Sequence, residues 1–215
     1  MKLYDTKSAP NPRRVRIFAA EKELAIPIVE VDLNAKENQG AEFRAKNPLG
    51  GVPVLELDDG TCIAESVAIC RYLEEIRPQP PLMGVGATDR AVVEMWQRRM
   101  ELELFQPIAN VFVHTHEWFK GRRPQVPEWG EACRKHALAR MSWLDGELAR
   151  RPYVAGDRFT IADIVLYCAL DFGGSVGQSL DPACGRVTRW MARVAERPSA
   201  KASLHPHSHA VGMKG

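Results

Sequence analysis

Along the first 80 residues the apolar positions change period several times, whereas beyond them they keep a helical spacing. Lys2–Asp5 reads as a short strand, followed by a polar, proline-bearing turn from Lys7 to Pro12. Pro12 suits the opening of a helix, where its missing N–H is not needed. Val15, Ile17, Phe18, Ala19 and Leu24 then give about three mostly apolar turns. Pro27 ends the helix, and Ile28–Leu33 alternates like a strand, so this unit predicts a parallel pair joined by a crossover. Asn34 to Asn47 is polar and loop-like, with room for a short helix at Ala41–Ala45. Val54–Leu57 and Thr61–Ala64 flank Asp58-Asp59-Gly60, a hairpin signal, and Glu65–Arg77 has a helical face. The predicted order is β-α-β, loop, β-β-α.

Arg77-Pro78-Gln79-Pro80-Pro81 cannot continue a helix, and a domain boundary is expected there. One domain spans residues 1–80 and an all-helical one residues 88–215. Thr88 or Asp89 caps a long run through Trp96, Met100, Leu104 and Ile108 toward Phe119. Gly121–Pro127 breaks it, and Glu128–Arg151 forms the next helix. Thr160-Ile161-Ala162-Asp163 has capping-box spacing, with Asp in place of the usual Glu. It opens Ile164–Phe172, which lacks a polar face and is expected at the centre of the helical domain. Pro182–Glu196 reads as a last amphipathic helix. No internal repeat is present.

Composition adds mainly exclusions. A net charge of +2 gives no field that would draw nucleic acid or an anionic membrane. No apolar run approaches the roughly 20 residues of a membrane span, and the start lacks the apolar core of a signal peptide. The five cysteines (Cys62, Cys70, Cys133, Cys168, Cys184) form no Cys-x-x-Cys pair. They read as reduced packing residues of a cytoplasmic protein, not as a disulfide framework or zinc site. His205, His207 and His209 form a loose triplet for which incidental placement outweighs metal binding. No metal is expected.

Two short segments carry chemistry. A Val52-Pro53 bond entering a strand is unusual, because proline cannot donate to a ladder. A cis bond there would leave the Val52 N–H and C=O free, so an extended peptide could pair with them as an added strand. Alone, such a dipeptide is more often a tight turn without a ligand. Glu65-Ser66 falls where the next helix begins, whose first N–H groups favour a bound carboxylate. Alone, Ser as a cap and Glu in a first turn are ordinary.

Together the segments are specific. Ala45-Lys46-Asn47-Pro48, Gly50-x-Val52-Pro53-Val54-Leu55 and Ile63-Ala64-Glu65-Ser66-x-Ala68-Ile69 resemble the glutathione-site signature of cytosolic glutathione transferases. Arg151–Asp163 resembles the capping-box segment of their helical domain, and the likeness runs from Lys2 to about Ala200. The resemblance implies an α/β thioredoxin-like N-terminal domain and an all-α C-terminal domain. It implies glutathione as co-substrate, a small, largely apolar electrophile as partner, and a homodimer acting in detoxification. It implies that Val52, Glu65 and Ser66 bind glutathione, with Pro53 cis, and that Asn38 and Gln39 lie near the glycyl carboxylate. Gly51 departs from the pattern, since many relatives carry Lys or Gln there.

The larger departure is at the residue that activates the thiol. Relatives place Tyr, Ser or Cys in the turn before the first helix; here the turn is Lys7-Ser8-Ala9-Pro10-Asn11-Pro12. Ala9 aligns with the serine of plant-type and zeta-like classes, and Tyr4 falls too early, inside the strand. The segment most resembles a fungal and bacterial branch without the usual Tyr or Ser. Asn11 with backbone N–H groups is the first candidate to stabilise the thiolate, and Ser8 the second; both are also ordinary turn residues. The electrophile is expected between the domains, near Phe112, His114, His116, Trp118 and Phe119, with His116 the catalytic candidate. The alternatives are a specialised glutathione-dependent isomerase, dehalogenase or peroxidase, or a non-catalytic binding module.

Overall fold

Leu3 and Leu55, both buried, face each other across the central strand pair of a four-stranded sheet. The computed structural model describes residues 1–204. In it β1 (Lys2–Asp5) is followed by α1 (Pro10–Glu21), β2 (Ile28–Glu30), a 3-10 turn at Glu37–Gln39 and α2 (Ala41–Lys46). Then come β3 (Val54–Glu56), β4 (Cys62–Ala64) and α3 (Ser66–Ile76). The sheet order is β2-β1-β3-β4, with β1 parallel to β2 and antiparallel to β3, and β3 antiparallel to β4. This is the thioredoxin-like arrangement.

Period-two alternation splits the buried residues between the two faces of the sheet. Beside Leu3 and Leu55, Tyr4 and Val54 turn the other way, into a cluster with Val31 and Phe43 of α2. Strand β2 is shorter than the pattern of Ile28–Leu33 predicts, and Ile28 and Val29 are exposed. It is an edge strand that pairs only with β1, so little apolar surface fixes its length. Lys22 is fully buried; it ties α1 to Glu74 of α3 at 2.5 Å and reaches the carbonyl of Pro80. A buried lysine persists only when paired, and this one has both a carboxylate and a carbonyl. A short helix, Pro198–Ala202, packs on α1, where Ser199 Oγ donates to Glu21 Oε1 (2.5 Å) and Arg13 Nε to Ser203 Oγ (3.0 Å). Its contacts put it in one compact unit with Met1–Leu82.

The second unit, Met83–Arg197, is all helical among the described residues. It comprises α4 (Gly86–Met100), α5 (Gln106–Thr115), α6 (Pro127–Glu147), α7 (Ile161–Ser175) and α8 (Gly185–Ala195). Helices α4 and α5 are joined without a break by a π turn, Glu101–Phe105. Pro107 explains the wider turn: it has no N–H for the carbonyl four residues back, and its ring would clash there. The run ends at Thr115 and not at Phe119, because His116 adopts extended backbone (φ −89°, ψ 137°). Helices α5 and α6 cross closely at Gly130, where a Cβ would stand 2.5 Å from Thr115 Cγ2.

Helix α7 buries twelve of its fifteen residues. It starts at Ile161, three residues before the expected Ile164, because Thr160–Asp163 forms the capping box of its own first turn. Asp163 is fully buried and accepts from the Thr160 N–H (3.0 Å), the Val154 N–H (2.9 Å) and Trp190 Nε1 of α8 (2.9 Å). One carboxylate thus joins the preceding loop, the cap and the last helix. Helix α8 begins at Gly185, not Pro182, where Asp145 of α6 accepts the Arg186 and Val187 N–H groups. Among the described residues, no helix is long and apolar enough to cross a membrane.

Desolvation pushes the Asp163 carboxyl up from 3.8 to about 6, against the pull of its N–H donors. Asp163→Ala leaves three buried N–H groups unsatisfied at 1–3 kcal/mol each, so a loss of at least about 3 kcal/mol is expected in urea denaturation. The folded pKa is raised, so the group's contribution is full below 3.8 and falls as pH rises through about 6. The stability gap between wild type and variant is therefore widest in acid and narrows toward neutrality; a gap that widens with pH overturns this account.

Candidate functional site

Three chain segments meet at one end of the sheet in the first unit. The β1/β3 register sets Tyr4 opposite Val54, so the turn leaving β1 and the Val52-Pro53 segment entering β3 lie level with each other. Val54 also faces Ala64, so β4 delivers Glu65 and the start of α3 to the same end. Arg14 in the first turn of α1 donates from Nη1 to Ser66 Oγ at 3.3 Å, which fixes the two helix starts as neighbours.

The Val52-Pro53 bond is cis. Among the described residues neither the N–H nor the C=O of Val52 has a hydrogen-bond partner, while its side chain packs on the Tyr4–Phe43 cluster. The loop ahead of it is held by side chains. Buried Asn47 donates from Nδ2 to the Gly51 carbonyl (2.9 Å) and accepts the Leu49 N–H (3.2 Å). Asn38 donates from Nδ2 to the Gly50 carbonyl (2.7 Å), leaving its second amide hydrogen uncommitted. Gly50 is required twice, by its φ of +67° and by the Asn38 carbonyl 2.9 Å from where a Cβ would sit. Gln39 is exposed, and its side chain has no partner among the described residues.

The two helix starts differ. In α3 the N–H groups of Ser66, Val67 and Ala68 have no partner among the described residues. Glu65, at the cap, is exposed and sits at φ +65°, ψ 116°, a conformation that costs a non-glycine residue roughly 1–3 kcal/mol. In α1, prolines occupy the first and third positions, so Asn11 carries the one unpaired N–H of that turn. Its side chain, half-buried, has no partner among the described residues, nor does the exposed side chain of Ser8. Ala9 caps α1 without a side-chain hydrogen bond. The turn is secured from below by Arg16, which binds both oxygens of buried Asp5 (2.6 and 2.7 Å) and the Lys7 carbonyl (2.8 Å). Burial raises the Asp5 pKa and the Arg16 charge opposes the rise.

One end of a thioredoxin-like sheet thus presents an unpaired backbone pair, a helix start with three open amides and a carboxylate at a strained cap. Family models for the glutathione S-transferase N-terminal domain and C-terminal domain match residues 1–75 and 124–198. Glutathione S-transferase 2 of Saccharomyces cerevisiae is 40% identical over 215 residues, covering 97% of this chain and 91% of that one. The crystal structure of Gtt2 from the same yeast superposes with a TM-score of 0.91, covering 95% of this chain and 100% of that one. A Gtt2-class glutathione S-transferase of Vibrio parahaemolyticus, 33% identical, gives 0.82 over 94% of this chain and 96% of that one.

The chain belongs to the glutathione S-transferase family.

Within this member of the family, Tyr4 has no part in the turn after β1. Its hydroxyl donates to Glu56 Oε2 at 2.9 Å, a carboxylate that Lys46 and Tyr4 itself hold down at about 2. His116 lies in the second unit, where its Nδ1 accepts the Trp118 N–H (3.1 Å), as His114 Nδ1 accepts that of Val126 (3.1 Å). A neutral ring whose Nδ1 accepts an N–H carries its own hydrogen on Nε2. Phe112 gathers His116, Phe119, Phe172 and Trp118 around it at centroid distances of 4.7–6.2 Å. Sequence reasoning finds Asn47 only as part of a motif and assigns no role to Asp5, Arg14 or Arg16. The signal available for the arginines was their charge in an otherwise apolar helix. His205, His207 and His209 lie outside the described residues, and among those described no group of His, Cys, Asp and Glu could hold a metal ion.

The positive φ of Glu65 has a measurable consequence for stability. Glu65→Gly should raise stability by about 1 kcal/mol in urea denaturation, the strain released less the entropy that glycine adds to the unfolded chain. Glu65→Ala, which keeps the strain, should gain nothing. A glycine variant less stable than wild type would show that the cap is not strained.

Proposed function

We propose that glutathione binds across this end of the sheet and that the chain activates its thiol for attack on a small, largely apolar electrophile. The observation that carries the reading is the open backbone of Val52 beside the open amides of α3. The cysteinyl residue of glutathione pairs with the Val52 N–H and C=O as a short added strand. The γ-glutamyl carboxylate sits on the first amides and hydroxyl of Ser66, at the positive end of an eleven-residue helix. Glu65 accepts from the γ-glutamyl amine, which is why a carboxylate is kept at a strained position. Gln39 and the free amide hydrogen of Asn38 meet the glycyl carboxylate.

The thiol then points to the start of α1. A free thiol ionises at ~8.5, and bringing it to about 6.5 requires roughly 2.7 kcal/mol of preference for the thiolate. A helix terminus supplies about 0.3–1 kcal/mol, and here it has a single open N–H. A hydrogen bond from the Asn11 amide to the charged sulfur, worth about 1.5–3 kcal/mol, makes up the difference. The proton leaves to water, the sulfur forms the new bond to the electrophilic carbon, and the leaving group departs with the electron pair it had shared. Within the second unit, the aromatic surface around Phe112 suits a small apolar ligand, and the ring of His116 is the polar group at its edge. We infer a cytoplasmic detoxification enzyme, in keeping with five cysteines that form no disulfide, and a homodimer as in the family.

A second reading has its own observation: Ala9 brings no hydroxyl, and Pro10 and Pro12 bring no N–H. That impoverished turn suits a ligand carrier or a specialised enzyme. Glutathione calorimetry beside turnover of an aromatic halide separates the two. Binding with turnover is expected; binding alone favours the second reading, and no binding at millimolar glutathione overturns both. Titrating bound glutathione at the thiolate absorbance should show a pKa about one unit higher in Asn11→Ala than in wild type, with Ser8→Ala shifted less. An unchanged pKa in both variants removes side chains from thiol activation.

A further inference from the structure

In the second unit, a cavity of about 260 Å³ lies between the end of α6 and one face of α8. Four of its lining residues are arginines: Arg151, Arg186, Arg189 and Arg193. The last three recur at i, i+3 and i+7 along α8, so like charges stack on one helix face, an arrangement that disfavours the bare helix. Two of the four are answered by carboxylates, Arg151 by Glu147 (2.7 Å) and Arg186 by Asp145 (3.0 Å). Arg193 reaches the Pro152 carbonyl and lies over the Tyr153 ring, but no carboxylate meets it. Arg189 has neither hydrogen bond nor ion pair among the described residues. Four positive charges less two negative leave the cavity at +2 in a chain whose whole net charge is +2.

Arg151 is held against the wall by an aromatic ring. Arg151, its guanidinium stacked 3.9 Å over Trp96, keeps Nε out of water without an acceptor. The helix N-terminus nearby is not the attraction, since Asp145 already caps it. Trp190 and Leu148 supply apolar wall.

We propose that this cavity is a binding site for a phosphate group, separate from the glutathione site. Arg189, without a partner, and Arg193, held by a carbonyl but by no carboxylate among the described residues, match a group that carries about −1.5 to −2 at neutral pH and presents several acceptor oxygens. The apolar wall fits the small organic part of a phosphate monoester. The cavity is too small for a drug-sized ligand, for which roughly 300–1,000 Å³ is usual.

The test is titration of the full chain with inorganic phosphate and, separately, phenyl phosphate, followed by calorimetry and by the thermal midpoint at constant ionic strength. Saturable binding is expected, weakened at least tenfold in the Arg189→Ala, Arg193→Ala double variant. Both positions are exposed, so the variant should fold, and its unchanged glutathione binding is the check. Phenyl phosphate binding more tightly than inorganic phosphate identifies a monoester site; equal binding identifies a site for the free ion. No saturation, an equal effect of chloride, or undiminished binding by the double variant overturns the proposal.

Discussion

The register of β1 against β3 is the constraint on which the candidate site rests. Leu3 opposite Leu55 buries two leucines at the centre of the sheet, and a slip of one residue would part them, turning the slipped strand's leucine into the cluster on the opposite face. That cost fixes Tyr4 opposite Val54, and with it the level at which the chain leaves β1 and enters β3. Val54 opposite Ala64 carries the same level to the start of α3. The site is therefore assembled by hydrophobic register before any polar residue acts. The polar residues then hold what the register has placed: Asn47 and Asn38 fasten the loop into Val52, Arg16 fastens the turn into α1, and Arg14 bridges the helix starts.

The helical unit is organised from the other extreme, by one buried charge. Asp163 sits in the least polar helix of the chain and is the acceptor for a loop amide, a cap amide and the indole of α8. Removing a carboxylate from water is costly, and only several donors make it tolerable. The same carboxylate therefore fixes where α7 begins and where α8 lies against it, a specificity that a purely apolar α7 could not supply.

What the sequence disclosed follows from how local each cause is. The order of elements was legible because the change from strand to helix spacing is written in consecutive residues, and the capping box at Thr160 because its spacing is fixed. The π turn at Glu101–Phe105 was not, since it needs Pro107 read against a carbonyl four residues back inside an uninterrupted apolar face. The length of β2 was missed because Ile28–Leu33 has the right alternation but only one neighbour to pair with. Of the site, the residues of the signature were legible as a pattern. The partners that position them, Asp5 with Arg16 and Arg14 with Ser66, are separated by eleven and 52 residues, and no local rule links them. The strain at Glu65 was invisible for a related reason. Nothing in Ala-Glu-Ser calls for positive φ; the demand comes from joining the end of β4 to the start of α3.

The contrast between the two helix starts bears on how this chain divides its work. The start of α3 keeps three amides open and so offers an anion more donors than the start of α1 does. The start of α1 has two of its first three amides removed by proline, leaving the N–H of Asn11. Proline there also pre-sets the backbone, so the turn is rigid at the expense of donors. A full charge on a carboxylate is permanent near neutral pH and repays several fixed donors whether or not chemistry follows. A thiolate must be favoured enough to form and still be free to attack, and every donor that stabilises it also lowers its nucleophilicity along with its pKa. In the proposed mode of binding, one backbone donor and the Asn11 amide would stabilise the sulfur and leave it reactive. On that proposal the absent hydroxyl at Ala9 is no sign in itself of a lost activity.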